Sequence, residues 1–200
     1  MGKKLMTQGR VRIGIDWGGT KIEALAMDAD GRELRRLRIP TPRHDYEGSI
    51  RAAAELVASI ERDVGLTGPI GAGIPGTIVP ATGLVKNANS TWLNGRPLEK
   101  DLSFAFGREV RCVNDANCLA ISESADGAAA GQDVVFAAIL GTGCGGGGRS
   151  PRPATLWPER PRRRMGSQSA AVEASRRVSR RVLLLRPARL YRAMDLRAGT

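Results

Sequence analysis

The chain has 200 residues, of which 42% are hydrophobic, and a formal net charge of +11. That length and hydrophobic fraction suffice for a packed core. No membrane span is predicted, because the longest late apolar run, residues 182–185, is far too short to cross a bilayer, and no secretory signal is visible. Three cysteines without C-x-x-C spacing indicate reduced thiols and hence a cytoplasmic protein.

Residues 12–21 are predicted to form a strand, a tight turn and the start of a returning strand. Apolar residues alternate with small or polar ones up to Asp16, as in a strand that enters a sheet. Gly18 and Gly19 then predict a tight turn with a positive φ at one or both glycines. The chain returns as a second alternating strand, residues 21–27.

This turn is a candidate phosphate-binding loop. Its glycines leave backbone N–H groups accessible, and Thr20 and Lys21 add a hydroxyl and a cation for phosphate oxygens. Asp16 is placed to hold Mg²⁺ through water, because Mg²⁺ keeps most of its hydration shell. An ordinary Gly-Gly hairpin is equally compatible with this stretch alone. A Walker A loop is excluded, because no Gly-Lys-Ser/Thr follows at the required spacing.

The rest of the chain to residue 148 predicts an α/β fold. A third strand, an amphipathic helix and a buried strand come first, and helices and strands then alternate. The predicted elements are a strand at 33–39, a helix at 46–64, a strand at 70–74, a helix at 97–106, a strand at 109–113, a helix from 114 to about 127 and a strand at 134–140. Three antiparallel strands followed by this alternation indicate a mixed sheet.

Asn114-Asp115-Ala116-Asn117 is the second candidate site. Asp115 falls where a predicted strand ends and a helix begins, and open α/β sheets bind ligands beyond the carboxyl ends of their strands. One of Asn114 and Asp115 is expected to cap the helix, since both are preferred N-cap residues. Two such residues and Asn117 exceed what capping requires. An ionised Asp115 is suited to accept the proton of a sugar hydroxyl during phosphoryl transfer.

Two further stretches carry weaker signals. The glycine run at 141–148 can cradle phosphate with backbone N–H groups, whereas its partial match to a dinucleotide-binding pattern lacks the following helix and acidic residue. The Asn-rich segment, residues 87–94, offers amide groups to a polyhydroxylated ligand, and Trp92 can stack on a sugar. A solvated loop explains the same composition. His44, the only histidine, is interpreted as a surface residue.

Four spaced motifs together resemble the ROK family of sugar kinases and repressors. They are Gly14-Ile15-Asp16-Trp17-Gly18-Gly19-Thr20-Lys21, Gly73-Ile74-Pro75-Gly76, Asn114-Asp115-Ala116-Asn117-Cys118 and Gly141-Thr142-Gly143-Cys144-Gly145. Their order and spacing agree with the family over residues 11–148. The stretch from Lys86 to Gly95 is similar to the bacterial fructokinases of that family in particular.

The resemblance implies an actin/hexokinase-like (ribonuclease H-like) ATPase fold with two lobes around a cleft, in which residues 11–148 form the N-terminal lobe. It implies that ATP, with Mg²⁺, transfers its γ-phosphate to a hexose, most directly fructose to give fructose 6-phosphate. N-acetylglucosamine, glucose and mannose remain alternative acceptors. A full-length relative is expected to form a homodimer.

Individual positions also match functional positions of the family. The catalytic base matches Asp115. The sugar-binding positions match Gly76, Asn89, Asn114 and Asp115. The ATP- and phosphate-binding positions match Asp16, Gly18, Gly19, Thr20, Lys21, Gly141, Thr142 and Gly143.

The end of the chain departs from the family pattern. The family continues with a Glu-x-Gly-His sugar-binding segment, a zinc-binding cysteine cluster and a nucleotide lobe, and nothing after residue 148 matches them. Residues 149–200 instead hold 14 Arg and no Lys, Asn, Ile, Phe, Cys or His, and they carry the whole net charge. Such Arg-, Pro-, Ala- and Ser-rich sequence is typical of GC-rich DNA read out of frame.

We therefore interpret residues 149–200 as a non-homologous, disordered tail that arose by a frameshift or a sequence misassembly near residues 147–149. We expect this chain to lack the second lobe and to be inactive as a kinase. An Arg-rich tail that binds nucleic acid is the competing interpretation. It is less favoured, because stacking aromatics are not interleaved with the arginines. A non-catalytic family repressor is also disfavoured, because the residues before the first strand are too few for a helix-turn-helix domain.

Overall fold

The computed structural model describes residues 11–140 and 144–150 of the chain. The strands are β1 (Arg12–Trp17), β2 (Lys21–Met27), β3 (Glu33–Pro40), β4 (Ile70–Ile74), β5 (Thr77–Ile78), β6 (Val85–Lys86), β7 (Val110–Asn114), β8 (Val135–Leu140) and β9 (Cys144–Arg149). The helices are α1 (Tyr46–Val64), α2 (Leu98–Phe106) and α3 (Asp115–Asp126), and a 3₁₀ turn lies at Thr91–Leu93. After β3 the three helices alternate with β4, β7 and β8, as the sequence predicts, whereas the short strands β5 and β6 and the last strand, β9, are additional.

The central sheet has five strands in the order β3-β2-β1-β4-β7. β1 pairs antiparallel with β2, and β2 with β3, whereas β1, β4 and β7 run parallel. The mixed sheet predicted from the sequence is therefore present, with its antiparallel strands on one side. Because parallel strands point the same way, the carboxyl ends of β1, β4 and β7 lie side by side at one end of the sheet.

One face of this sheet packs against α1 and α2 to form the main core. Ile13, Ile15 and Trp17 alternate along β1 and are almost fully buried in it. α1 contributes apolar side chains such as Val57 and Ile60 at helical spacing. The hydrophobic period changes from two in the strand to 3.6 in the helix, which explains why the sequence predicts both elements well.

A buried carboxylate, Glu23, ties the antiparallel strands together. It is 3% exposed and lies opposite Asp16 in the register of β1 and β2. Arg36 Nη1 and Arg38 Nε, both on β3, donate to its two carboxylate oxygens at 2.6 and 2.5 Å. These guanidinium groups offset the cost of burying the carboxylate. A row of charged groups thus crosses the sheet beside the end of β1.

The prediction of a positive φ at Gly18 or Gly19 is wrong, because neither glycine has one. Limited space favours glycine at these positions instead, more strongly at Gly18 than at Gly19. A Cβ at Gly18 would lie 2.7 Å from Lys21 O, and a Cβ at Gly19 would lie 3.1 Å from Ser90 Oγ. The turn is therefore packed tightly on both sides rather than bent by an unusual backbone conformation.

The predicted phosphate-cradling loop at 141–148 is largely a strand. β9 spans residues 144–149, pairs antiparallel with β8 and crosses by one residue the domain boundary predicted at 148. Gly141, Thr142 and Gly143 lie outside the described residues, as does almost all of the predicted tail. Four consecutive glycines have low strand propensity, so only the packing of the hairpin identifies β9 as a strand.

The predicted loop at 86–95 also contains regular structure. It begins with β6, which pairs with β5 in a two-stranded sheet, and it includes the 3₁₀ turn at Thr91–Leu93. Strands of two residues carry too little periodicity to be recognised in a sequence.

The β8–β9 hairpin packs on α3. Leu119 and Val135 form a small second core with two neighbouring alanines. β9 also approaches the first turn of α3 so closely that a Cβ at Gly147 would lie 2.2 Å from the backbone carbonyl of Ala116. Only glycine fits at that position without a shift of the backbone.

We expect Gly147→Ala to lower the free energy of unfolding by roughly 1–3 kcal/mol, the usual cost of overpacking. The matched control is Gly145→Ala on the same strand, where the nearest atom to a Cβ is Ala116 Cβ at 4.0 Å. Urea unfolding followed by circular dichroism measures both variants. Equal stability of the two variants would show that β9 does not contact α3 in this way.

Candidate active site

The candidate site lies where β1, β4 and β7 end. Asp16 on β1 is in register with Gly73 on β4, and the next residue of β4, Ile74, pairs with Asn114 on β7. Asp115 follows directly as the first residue of α3. The parallel register therefore brings Asp16, the loop after β4 and Asp115 to one end of the sheet.

Asn114 joins the first turn of α3 to the loop after β4. Its Oδ1 accepts hydrogen bonds from the backbone N–H groups of Ala116 (3.2 Å) and Asn117 (3.4 Å), so Asn114 is the N-cap of the helix. Its Nδ2 donates to Gly76 O at 2.8 Å and to Asp115 Oδ1 at 2.9 Å. Capping, which the sequence assigns to either residue, therefore falls to Asn114.

Asp115 is held through one carboxylate oxygen. Oδ1 accepts hydrogen bonds from Asn114 Nδ2 and from Ala116 N at 2.8 Å, whereas no donor within the described residues contacts Oδ2. Burial raises the pKa of Asp115, and these hydrogen bonds offset part of that effect. A fixed carboxylate with one available oxygen and a raised pKa is a competent acceptor for the proton of a bound hydroxyl group.

Asp16 is electrostatically coupled to Asp115. Burial, followed by the charges of Glu23 and Asp115, raises the pKa of Asp16 from 3.8 to about 6, while Lys21 acts in the opposite direction. A divalent cation beside Asp16 would relieve this repulsion, and Mg²⁺ prefers carboxylate and water oxygens. The position of Asp16 therefore fits its predicted role as a water-mediated magnesium ligand.

The loop from Gly18 to Lys21 is anchored by a threonine outside it. Thr41 Oγ1 donates to Gly18 O at 2.8 Å, and Thr41 N donates to Thr20 O at 3.1 Å. Gly18 N donates to Lys21 O at 2.9 Å and closes the turn. The backbone N–H groups of Gly19 and Thr20 have no acceptor in the described part of the chain. Unpaired N–H groups in an anchored loop, beside a lysine, suit a phosphate group.

The loop at Gly76 packs against the Asn-rich segment. Gly76 has a φ of 80°, and a Cβ there would lie 2.4 Å from Lys86 O, so only glycine fits. Asn94 fixes the segment, since its Oδ1 accepts from Ala88 N at 2.9 Å and its Nδ2 donates to Ala88 O at 3.1 Å. Asn94 is thus structural, whereas the exposed side chain of Asn89 is available to a ligand.

Two residues of this region are not predicted from the sequence. Ser90 is 2% exposed, and its Oγ lies against Gly19. His44 is exposed as predicted, but its ring contacts Trp92 with 5.0 Å between ring centroids, and its φ is 62°. A positive φ is uncommon outside glycine. No motif signals either contact, because both join segments that are distant in the sequence.

Two features are absent from the described residues. Residues 11–140 and 144–150 contain no group of three or more His, Cys, Asp or Glu side chains placed to hold a metal ion. Within these same ranges, no helix combines the length and the apolar character needed to span a membrane.

Sequence comparison relates the chain to a family of kinases. Residues 12–150 match the profile of the ROK family. The chain is 41% identical over 134 residues to the N-acetyl-D-glucosamine kinase of Haemophilus influenzae (strain 86-028NP), and 45% identical over 135 residues to that of Escherichia coli O127:H6 (strain E2348/69 / EPEC). Each match covers 67% of this chain and 44% of the relative, so the chain spans less than half the length of these relatives.

Solved structures share the fold. A ROK hexokinase from Thermus thermophilus superimposes with a TM-score of 0.61 at 35% identity, covering 70% of this chain and 47% of that one. A ROK family glucokinase from Streptomyces griseus, solved with glucose and AMPPNP, gives a TM-score of 0.60 at 33% identity, covering 70% and 44%. The predicted hexokinase-like kinase fold is confirmed by these similarities.

We expect Asp16→Asn to raise the free energy of unfolding at pH 7 by roughly 1–3 kcal/mol, because it removes a carboxylate whose ionised form is disfavoured. The pKa of Asp16 in the folded state, about 6, lies above the ordinary aspartate pKa of 3.8. The cost of ionising Asp16 is therefore fully present above pH 6 and absent below about pH 4.

Urea unfolding in EDTA at several pH values measures this effect. The advantage of Asp16→Asn should shrink as the pH falls through 6 and vanish near 4. Asp133→Asn, a substitution of the same kind at an exposed position, serves as the control. An Asp16 variant that is less stable than the unchanged chain at pH 7 would contradict the assignment.

Proposed function

Because the chain belongs to the ROK family, we propose that it is the N-terminal lobe of an ATP-dependent hexose kinase in which Asp115 accepts the proton of the attacking sugar hydroxyl. The convergence of Asp115, Asp16 and the loop from Gly18 to Lys21 at one end of the sheet carries this proposal. A proton acceptor, a candidate cation ligand and a phosphate-binding loop are the groups that phosphoryl transfer requires.

In the proposed reaction, a sugar hydroxyl oxygen attacks the γ-phosphorus of ATP, the bond from that phosphorus to the bridging oxygen breaks, and ADP leaves. The hydroxyl proton passes to Oδ2 of Asp115. Because the transition state is loose, the position of the carboxylate matters more than its basicity. Asn114 supplies that position, since it caps α3 and donates to the other carboxylate oxygen.

Phosphate binding is assigned to the groups around the first loop. The N–H groups of Gly19 and Thr20, with the Lys21 cation, would hold phosphate oxygens where negative charge develops. Asp16 would hold Mg²⁺ through water, and the ion would supply charge neutralisation at the phosphates. The stretch 141–143 is retained as the second proposed phosphate loop on its resemblance alone.

The sugar is proposed to contact Gly76, Asn89 and Asn114. These residues come from three segments that the bond from Asn114 to Gly76 O and the packing of Gly76 on the Asn-rich segment bring together. The resemblance of the stretch 86–95 to bacterial fructokinases favours fructose as the acceptor, whereas the two kinases at 41% and 45% identity act, by their names, on N-acetyl-D-glucosamine. We propose fructose and treat N-acetyl-D-glucosamine as its main competitor.

A cytoplasmic location is proposed from the cysteines. Cys112 and Cys118 are free thiols, and burial raises the pKa of Cys118 to about 12. Such thiols are unreactive and do not form a disulfide framework, which accords with a reducing compartment.

A coupled ATP assay with fructose, N-acetyl-D-glucosamine, glucose and mannose tests the proposed activity. It is run on this chain and on a chimera in which residues 12–140 replace the matching part of the Escherichia coli N-acetyl-D-glucosamine kinase. We expect the chimera to phosphorylate a hexose and to prefer fructose. A folded chimera without turnover on any of the four sugars would refute the kinase proposal, and preference for N-acetyl-D-glucosamine would refute only the choice of fructose.

In the active chimera, Asp115→Asn should lower turnover by roughly 100-fold or more, the scale of a positioned general base. Sugar affinity should change much less, because the amide keeps the shape of the carboxylate. Asp133→Asn, at an exposed site, serves as the control. Turnover within a few-fold of the unchanged enzyme would show that Asp115 only begins the helix.

A further inference from the structure

Ser90 is the point at which the Asn-rich segment touches the phosphate loop. Its side chain is almost fully buried, and its Oγ lies 3.1 Å from the position that a Cβ of Gly19 would occupy. Among the described residues this hydroxyl has no hydrogen-bond partner. A buried hydroxyl without a partner is disfavoured, because it has lost its bonds to water and gained none.

The loop beside Ser90 also has unpaired groups. Thr41 holds the carbonyl groups of Gly18 and Thr20, so Gly19 lies between two anchored peptides. The N–H groups of Gly19 and Thr20 have no acceptor in the described part of the chain. Unsatisfied donors on the loop therefore lie next to an unsatisfied hydroxyl, and a phosphate group at the loop would supply acceptors for both.

We propose that Ser90 is a positioning residue whose hydroxyl gains its hydrogen bond only when the loop from Gly18 to Lys21 holds the phosphates of ATP. The Ser90 hydroxyl forms this hydrogen bond either with the backbone of Gly19, once the bound phosphate has shifted the loop, or with a phosphoryl oxygen. This inference rests on the proposed kinase function. Because Ser90 directly follows Asn89, the same bond couples the proposed sugar contact to the phosphate loop, so nucleotide and sugar strengthen each other's binding.

The first arm of the test measures stability without ligand. Ser90→Ala removes a hydroxyl that makes no bond, so its urea midpoint should equal or exceed that of the unchanged chain. The matched control is Ser49→Ala, since Ser49 is equally buried but donates to Pro42 O (2.9 Å) and Asp45 O (2.7 Å). Ser49→Ala should lower the midpoint. A similar loss for Ser90→Ala would overturn the proposal, because it would reveal a structural partner.

The second arm measures, by calorimetry, the binding of a non-hydrolysable ATP analogue with Mg²⁺ to the chimera described above, which supplies the second lobe that this chain is expected to lack. Ser90→Ala should weaken binding about tenfold or more, as expected for a hydrogen bond to a charged or polarised group. Thr91→Ala, at the next and exposed residue, should leave the affinity unchanged. Unchanged affinity in Ser90→Ala would overturn the role of Ser90 alone, whereas no analogue binding by the folded chimera without the Ser90 substitution would overturn the proposed function and this inference with it.

A double-mutant cycle tests the contact itself. Gly19→Ala presses a Cβ against Ser90 Oγ and should weaken analogue binding. The same substitution should cost less in a Ser90→Ala background, because the clashing oxygen is gone. Additive losses would show that the two residues do not act together and would contradict the coupling.

Discussion

The parallel pairing of β1, β4 and β7 is the constraint on which the site depends. Each of these strands ends in a residue whose side chain or following loop carries polar groups, and the register aligns those ends to within one residue. The backbone hydrogen bonds of the ladder fix the spacing of these strand ends. The hydrogen bonds of Asn114 then extend the alignment to the Gly76 loop and to Asp115.

The same alignment causes electrostatic repulsion at the end of β1. Asp16 lies opposite the buried Glu23 and close to Asp115, so three carboxylates share one region of the sheet. Arg36 and Arg38, on β3, neutralise Glu23. Within the described ranges, no arginine forms an ion pair of this kind with Asp16 or Asp115. Residues that raise the energy of the free protein in this way are typical of sites that bind a cation or a reacting group.

The sequence predicts the long elements well and the close contacts poorly. α1 and β2 have their predicted bounds, because hydrophobic periodicity and turn residues are local signals. Asp16 and Asp115 could be predicted as site residues because these local signals also show where the strands before them end. By contrast, β9 and the contact of Ser90 with Gly19 depend on the close approach of segments far apart in the chain. Such distances cannot be read from local sequence. The sequence therefore predicts a conformational role for Gly18 and Gly19, whereas in the structure their role is steric.

Local unfolding is expected to begin at the β8–β9 hairpin. In the described residues these two strands pair only with each other, and a two-stranded hairpin has little stability of its own. Gly148 N donates to Asn117 Oδ1 at 3.1 Å, so the hairpin also helps to hold the first turn of α3. Each transient opening of the hairpin would therefore release the turn that begins with Asp115. The hydrogen-exchange protection of the backbone amides around the proposed base would then report the local stability of the hairpin rather than the global stability of the fold.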